Sequence, residues 1–116
     1  MSILCSLFAF ALSSCDVPLQ GDVVFEKRCA ACHSVMDGDV TVLAGRGAQA
    51  GPNLYAIPGA AVARVDGYPY SRALQGLGQT GATWDADNFT AFLANPNAYV
   101  RDALDDPSAR SKMAYR

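Results

Sequence analysis

Cys29-Ala30-Ala31-Cys32-His33 constrains this chain more than any other segment. Two thiols three residues apart, followed at once by an imidazole, have the spacing of c-type haem attachment. On a helix, positions i and i+3 project from one face. Both thiols can then add to the two vinyl groups along one edge of a haem. His33, the only histidine in the chain, then lies under the iron as the proximal ligand. A thioredoxin-like redox pair shares the two-cysteine spacing, but that motif expects a strand–helix context, and the residues before Cys29 read as a helix. A zinc site would need two more ligands at sensible spacing. Cys5 and Cys15 lie in an apolar N-terminal segment, and there is no second histidine. The motif therefore points to one covalent haem c and leaves open what binds the iron's other face.

A chain of 116 residues has room for one domain. Without its leader it would keep about 100 residues, a small core by itself, to which a covalent haem would add a large apolar body. The net charge of −2 gives no broad basic field, which argues against nucleic acid as a partner. Hydrophobic residues make up 51% of the chain, but part of this is the leader and much is alanine. No apolar run reaches the ~18–20 residues of a membrane span.

Residues 1–20 read as a leader plus connector, and residues 21–116 as the domain. Positions 3–12 form a short apolar stretch followed by small residues, as in a secretory leader, although the usual basic start is missing. Leu12-Ser13-Ser14-Cys15 resembles a bacterial lipobox, in which Cys15 would carry a lipid anchor. The alternative is ordinary cleavage, after Ala9-Phe10-Ala11, leaving Cys15 free. Either route exports the chain to a periplasm, where c-type maturation takes place.

The hydrophobic pattern predicts an all-α domain of short helices and long loops. A helix is expected from 22 to the Cys-x-x-Cys, with Phe25, Cys29 and Cys32 on one stripe. Residues 33–67, rich in Gly, Ala, Pro and Asp, read as a long loop without strand-like alternation. Such a loop is unusual unless it packs on a prosthetic group. Residues 71–77 predict a short helix stopped by Gly76 and Gly78. Residues 85–95 predict the clearest helix, capped by Asp85, with Phe89, Phe92 and Leu93 on one face and a stop at Asn95-Pro96. Another short helix is expected over 98–104.

Chain position limits the second iron ligand. Met1 belongs to the leader. Met36 follows His33 by three residues, too close to cross to the opposite face. Met113 lies far along the chain, after two or three helices, and can close over that face. A thioether favours ferrous iron and raises the potential, and two filled axial positions suit electron transfer, not catalysis. By position alone, an isolated methionine there is more often an apolar core or tail residue.

An ordered set of matches identifies the chain as similar to the class I cytochromes c of the mitochondrial and bacterial soluble type. They are Gly21-Asp22-Val23, the Cys29–His33 pentapeptide, Gly51-Pro52-Asn53-Leu54, Gly67-Tyr68-Pro69-Tyr70-Ser71, Thr83-Trp84, Phe92-Leu93-Ala94-Asn95-Pro96, Tyr99, and Ser111-Lys112-Met113-Ala114-Tyr115. The segment from Tyr99 to Tyr115 resembles the longer methionine loop of some purple-bacterial members. The resemblance implies a cytochrome c fold and makes Met113 the distal ligand. It gives the Pro52 carbonyl the role of accepting the His33 Nδ1–H. Tyr70 and Trp84 would donate to a haem propionate, and Phe25, Leu54, Leu93 and Tyr99 would line the pocket. Gly51 and Gly67 would serve tight turns or close backbone approach.

The departures are specific. Gly59-Ala60 stands where the family often has an arginine near the propionates, with Arg64 the nearest substitute. Phe92 replaces the tyrosine that usually hydrogen-bonds the methionine sulfur. The chain is also expected to be truncated before the family's C-terminal helix. The resemblance implies a monomeric, non-enzymatic one-electron carrier between a quinol-oxidising membrane complex and an oxidase or photosynthetic reaction centre. The alternatives are a haem-c subunit or domain of a dehydrogenase, and a haem-based ligand sensor.

Overall fold

The computed structural model describes residues 20–114; the leader, Cys15 and the last two residues lie outside them. Among the described residues the elements run α1 (Gly21–Arg28), β1 (Val35–Asp37), β2 (Thr41–Ala44), α2 (Arg72–Gln79), α3 (Ala86–Ala94) and α4 (Pro96–Leu104). Helix and loop predominate, as the sequence predicts.

Helix α1 has Asp22 in its first turn and Lys27 and Arg28 in its last, matching the helix dipole at both ends. It buries none of its residues fully. The helix runs to the Cys-x-x-Cys, as the sequence predicts, and ends there. The reason is a shared acceptor: the N–H groups of Cys29 and Ala30 both donate to the Phe25 carbonyl, at 2.8 and 2.9 Å, which ends the i to i−4 ladder. A separate turn follows, closed by the Cys32 and His33 N–H groups on the Cys29 carbonyl at 3.1 and 2.9 Å. The i to i+3 relation of the thiols is thus set by one isolated turn.

Strands β1 and β2 form an antiparallel ribbon inside the stretch that reads as loop. The pairing Asp37–Thr41 closes a short turn in which Gly38 takes φ +70°, a conformation that favours glycine. Met36 pairs with Val42 and Val35 with Ala44, so Leu43 is the extra residue of a bulge. The turn dipeptide Asp37-Gly38 is the signal for this ribbon, but its strands are too short for alternation to stand out. β2 packs against α1, while Val40, Val42 and Leu43 stay exposed.

The core lies at the other end of the chain, built from Val62, Ala73, Leu77, Trp84, Phe92, Val100 and Ala109. Burial of each large apolar side chain there contributes about 1.5–3 kcal/mol. Ser71 caps α2 by accepting the Leu74 N–H at 3.2 Å. Helix α2 runs through Gly76 and Gly78 instead of stopping at them. A Cβ on Gly78 would lie 2.5 Å from the Val62 carbonyl oxygen, so the bare Cα lets α2 seat on that backbone. Packing therefore outweighs the helix-breaking tendency of glycine, about 1 kcal/mol per residue.

Asp85 and Asn88 form a reciprocal capping box at the start of α3, with both bonds at 2.8 Å. Asn95 ends α3 and caps α4 through the Ala98 N–H at 3.0 Å. Pro96 occupies the first turn of α4, where its missing N–H costs nothing, so α4 begins two residues earlier than expected. α4 packs against both α2 and α3. Trp84 sits at the junction, with ring centroids 5.7 Å from Phe89, 5.2 Å from Phe92 and 6.2 Å from Tyr99. Phe92 is buried, whereas Phe89 and Leu93 are half-buried.

Candidate functional site

Two loop segments pass each other around His33. The Gly51 N–H donates to the Cys32 carbonyl at 2.6 Å, and the Leu54 N–H to the Ser34 carbonyl at 3.0 Å. Ser34, only 1% exposed, donates its hydroxyl to the Ala48 carbonyl at 3.2 Å. Asn53 clamps Met36 from both sides: its Oδ1 accepts the Met36 N–H and its Nδ2 donates to the Met36 carbonyl, each at 2.9 Å. Tyr68 donates its hydroxyl to the Ala50 carbonyl at 2.6 Å. The segment from Ala48 to Leu54 is therefore fixed against the residues that follow the cysteines.

His33 Nδ1 lies 2.9 Å from the Pro52 carbonyl oxygen. A carbonyl can only accept, so Nδ1 carries the hydrogen, and the lone pair of the neutral ring is on Nε2. A Cβ on Gly51 would fall within 2.6 Å of both ring nitrogens. The backbone thus holds the imidazole by hydrogen bond and by contact, as the family resemblance implies for Pro52 and Gly51. Gly67, by contrast, serves a turn at φ +75°.

Cys29 is half-buried, Cys32 is exposed, and both are free thiols. Burial pushes the Cys29 thiol up from its ordinary value. Its place at the C-terminal end of α1, the negative end of the dipole, also disfavours a thiolate. A redox-active pair needs the opposite, a depressed thiol at a helix N-terminus. Among the described residues no group of three or more His, Cys, Asp or Glu could hold a metal ion, so nothing there completes a zinc site.

The remaining expected site residues gather elsewhere. Met113 is half-buried and packs on the core cluster together with Tyr99. Trp84 is 6% exposed within the same cluster. Met36 instead sits on the ribbon. Tyr70 accepts the Val65 N–H on its phenolic oxygen at 3.1 Å, which leaves its own proton free to donate. Burial raises its pKa first of all; the Val65 bond and the Arg64 charge lower it, and Tyr68 raises it. The Tyr70 hydroxyl therefore remains protonated at neutral pH. Arg64, the expected substitute cation, donates Nη2 to the Tyr55 carbonyl.

Tyr68 ties the two groups together. Its hydroxyl reaches Ala50, beside Gly51, and its ring meets that of Tyr70 edge-on at 4.8 Å. The sequence marks Tyr68 and Asn53 only as members of matching strings and assigns them no role.

The donor set fits a c-type haem: two free thiols on one turn, an imidazole with its outer nitrogen directed and free, a half-buried thioether, and a phenol with a proton to give. The Gly51 backbone lies close enough under the imidazole that a side chain there would collide with the ring.

No model of a protein family matches the chain. Cytochrome c2 of Rhodovulum adriaticum is 37% identical over 90 residues, covering 78% of this chain and 71% of that protein. Cytochrome c-551 of Roseobacter denitrificans is 37% identical over 116 residues, covering 95% and 81%. Among solved structures, cytochrome c2 of Rhodobacter sphaeroides superposes with a TM-score of 0.77 at 30% identity, covering 83% of this chain and 78% of that one. The chain belongs to the class I cytochromes c of the purple-bacterial cytochrome c2 type, electron carriers that are not enzymes and that bind one covalent c-type haem.

Proposed function

We propose that the chain shuttles single electrons in a bacterial periplasm, taking them from a quinol-oxidising membrane complex and delivering them to a terminal oxidase or a photosynthetic reaction centre. The observation that carries this reading is the His33–Pro52 hydrogen bond directly after two free thiols. Haem would supply reversible one-electron iron chemistry. Cys29 and Cys32 would each add S–H across a vinyl group, with no leaving group. His33 would hold the iron through Nε2, made more basic by the Pro52 carbonyl. Met113 would hold it through its thioether. Tyr70 and Trp84 would donate to a propionate and so hold its charge within the fold.

The apolar N-terminal segment is the export signal in this reading, and Cys15 is a site for lipid that would tether the carrier to a membrane. No helix of the described residues is long and apolar enough to cross one. The exposed Lys27, Arg28 and Lys112 would face partners as a solvated surface.

The test is spectroscopy on exported holoprotein. The reduced protein should resist carbon monoxide, and it should pass electrons reversibly to small redox mediators. Rapid carbon monoxide binding to the unmodified protein would overturn the carrier reading in favour of a ligand sensor. Mass analysis of the mature N-terminus settles lipid on Cys15: a diacylglyceryl adduct supports the anchor, and a free thiol removes it.

A further inference from the structure

The segment that carries Met113 is held by one face of α4. Asp105 ends α4 in the left-handed region at φ 50°, and the Asp106 N–H turns back to the Arg101 carbonyl at 3.0 Å. Asp106 then organises a tight turn by accepting both the N–H and the hydroxyl of Ser108, at 2.9 and 2.6 Å. From there the chain runs back along α4. Arg101 donates Nε to the Ala109 carbonyl at 3.0 Å. Asn97, one turn earlier, accepts the Ser111 N–H on its Oδ1 at 2.9 Å. Ser111 passes the connection on: its hydroxyl accepts the Met113 N–H at 3.0 Å. Positions 97 and 101 are i and i+4, so both side chains leave the same helix face. The Ala109 side chain beneath them is buried in the core.

Resting on the reading of Met113 as an axial ligand, we propose that Asn97 and Arg101 are positioning residues for its thioether. They set how firmly Met113 holds its site against a competing ligand. The argument is one of pre-organisation. A loop from 105 to 113 that is free to swing must lose conformational entropy each time its thioether docks. The two bonds from α4 fix the backbone at 109 and 111 before docking, so the thioether stays close to its binding position. Lys112 adds a third tie, from Nζ to the Pro69 carbonyl at 2.8 Å, but through an exposed, flexible stem.

The experiment titrates oxidised holoprotein with imidazole and follows loss of the sulfur-to-iron charge-transfer band. Asn97→Ala and Arg101→Met each remove one bond, and Arg101→Met keeps an apolar stem of similar length. Each should tighten imidazole binding about two- to tenfold, the range for one net hydrogen bond. Arg101→Lys, which restores a donor, should return to within about twofold of the unmodified protein. Asn88→Ala breaks the α3 capping box and lowers overall stability without touching the loop. It should leave imidazole affinity unchanged. Unchanged affinity in Asn97→Ala and Arg101→Met overturns the proposal, as does an equal rise in Asn88→Ala, which would mark a global stability effect. Met113→Ala separates the two levels. If the band survives in that variant, the ligand reading fails and the proposal falls with it. If the band is lost there while the α4 variants titrate normally, only the positioning role fails.

Discussion

The Cα of Gly51 lies so close under the His33 ring that a Cβ there would come within 2.6 Å of both ring nitrogens. The Pro52 carbonyl holds the same ring from Nδ1 at 2.9 Å. Two consecutive residues thus fix one imidazole, one by lacking a side chain and the other through its backbone.

Gly51→Ala should therefore displace the ring or force the loop from Ala48 to Leu54 open. Overpacking of this kind costs about 1–3 kcal/mol in a well-packed site. The yield of covalent haem and the thermal midpoint should both fall. A variant with unmodified yield and midpoint would show that the loop yields freely and does not position His33.

The two candidate methionines occupy distinct surroundings. Met113 packs on the aromatic core, while Met36 is clamped through its backbone by Asn53. Met113→Ala should abolish the sulfur-to-iron band, lower the potential and admit carbon monoxide. Its loss of packing should cost about 1–2 kcal/mol, below the usual range for a fully buried methionine. Met36→Ala should keep the band. The reverse pattern would assign the thioether to Met36.

Much of the site could be read from local chemistry, because the pentapeptide and Gly51-Pro52 act through short spacing and backbone atoms. The Asp85 cap and the Asn95-Pro96 boundary are equally local, and both stand where the sequence predicts them. The sequence was less informative where distant backbone decided the outcome. Gly76 and Gly78 read as helix stops, yet the Val62 carbonyl needs the bare Cα of Gly78 inside α2. The ribbon from Val35 to Ala44 leaves no such pattern, because three- and four-residue strands carry too few positions for a period of two to emerge. Tyr68 and Asn53 bridge residues 18 and 17 positions away, a relation no local pattern encodes.

The thiols should act independently of one another. Cys29→Ser and Cys32→Ser should each keep one thioether, so haem stays with the denatured polypeptide and the mass still rises by one haem. The double variant should lose it to acidic organic solvent. Loss of covalent haem in either single variant, with the protein still folded, would show that both additions are obligatory on this turn. Cys32 is exposed and Cys29 half-buried, so the Cys29 variant should be the less stable of the two.

Tyr70 should contribute to the loss of stability at alkaline pH. Burial pushes its hydroxyl above the ordinary tyrosine value, against the opposing pull of the Val65 N–H and the Arg64 charge. The unfolded chain ionises at this residue near pH 10, while the folded protein keeps the proton to higher pH. Above about pH 10 the folded state therefore binds more protons than the unfolded state, and stability declines as pH rises. The Tyr70 contribution is fully present below that pH and is lost as pH rises through the folded value. Tyr70→Phe should make the alkaline decline shallower. At pH 7 the same change should cost about 0.5–1.5 kcal/mol, because the Val65 N–H loses its acceptor. Urea midpoints of both proteins between pH 7 and 11 test this directly. The two curves should be offset at pH 7 and converge above pH 10. Parallel curves throughout would show that Tyr70 does not carry the alkaline loss.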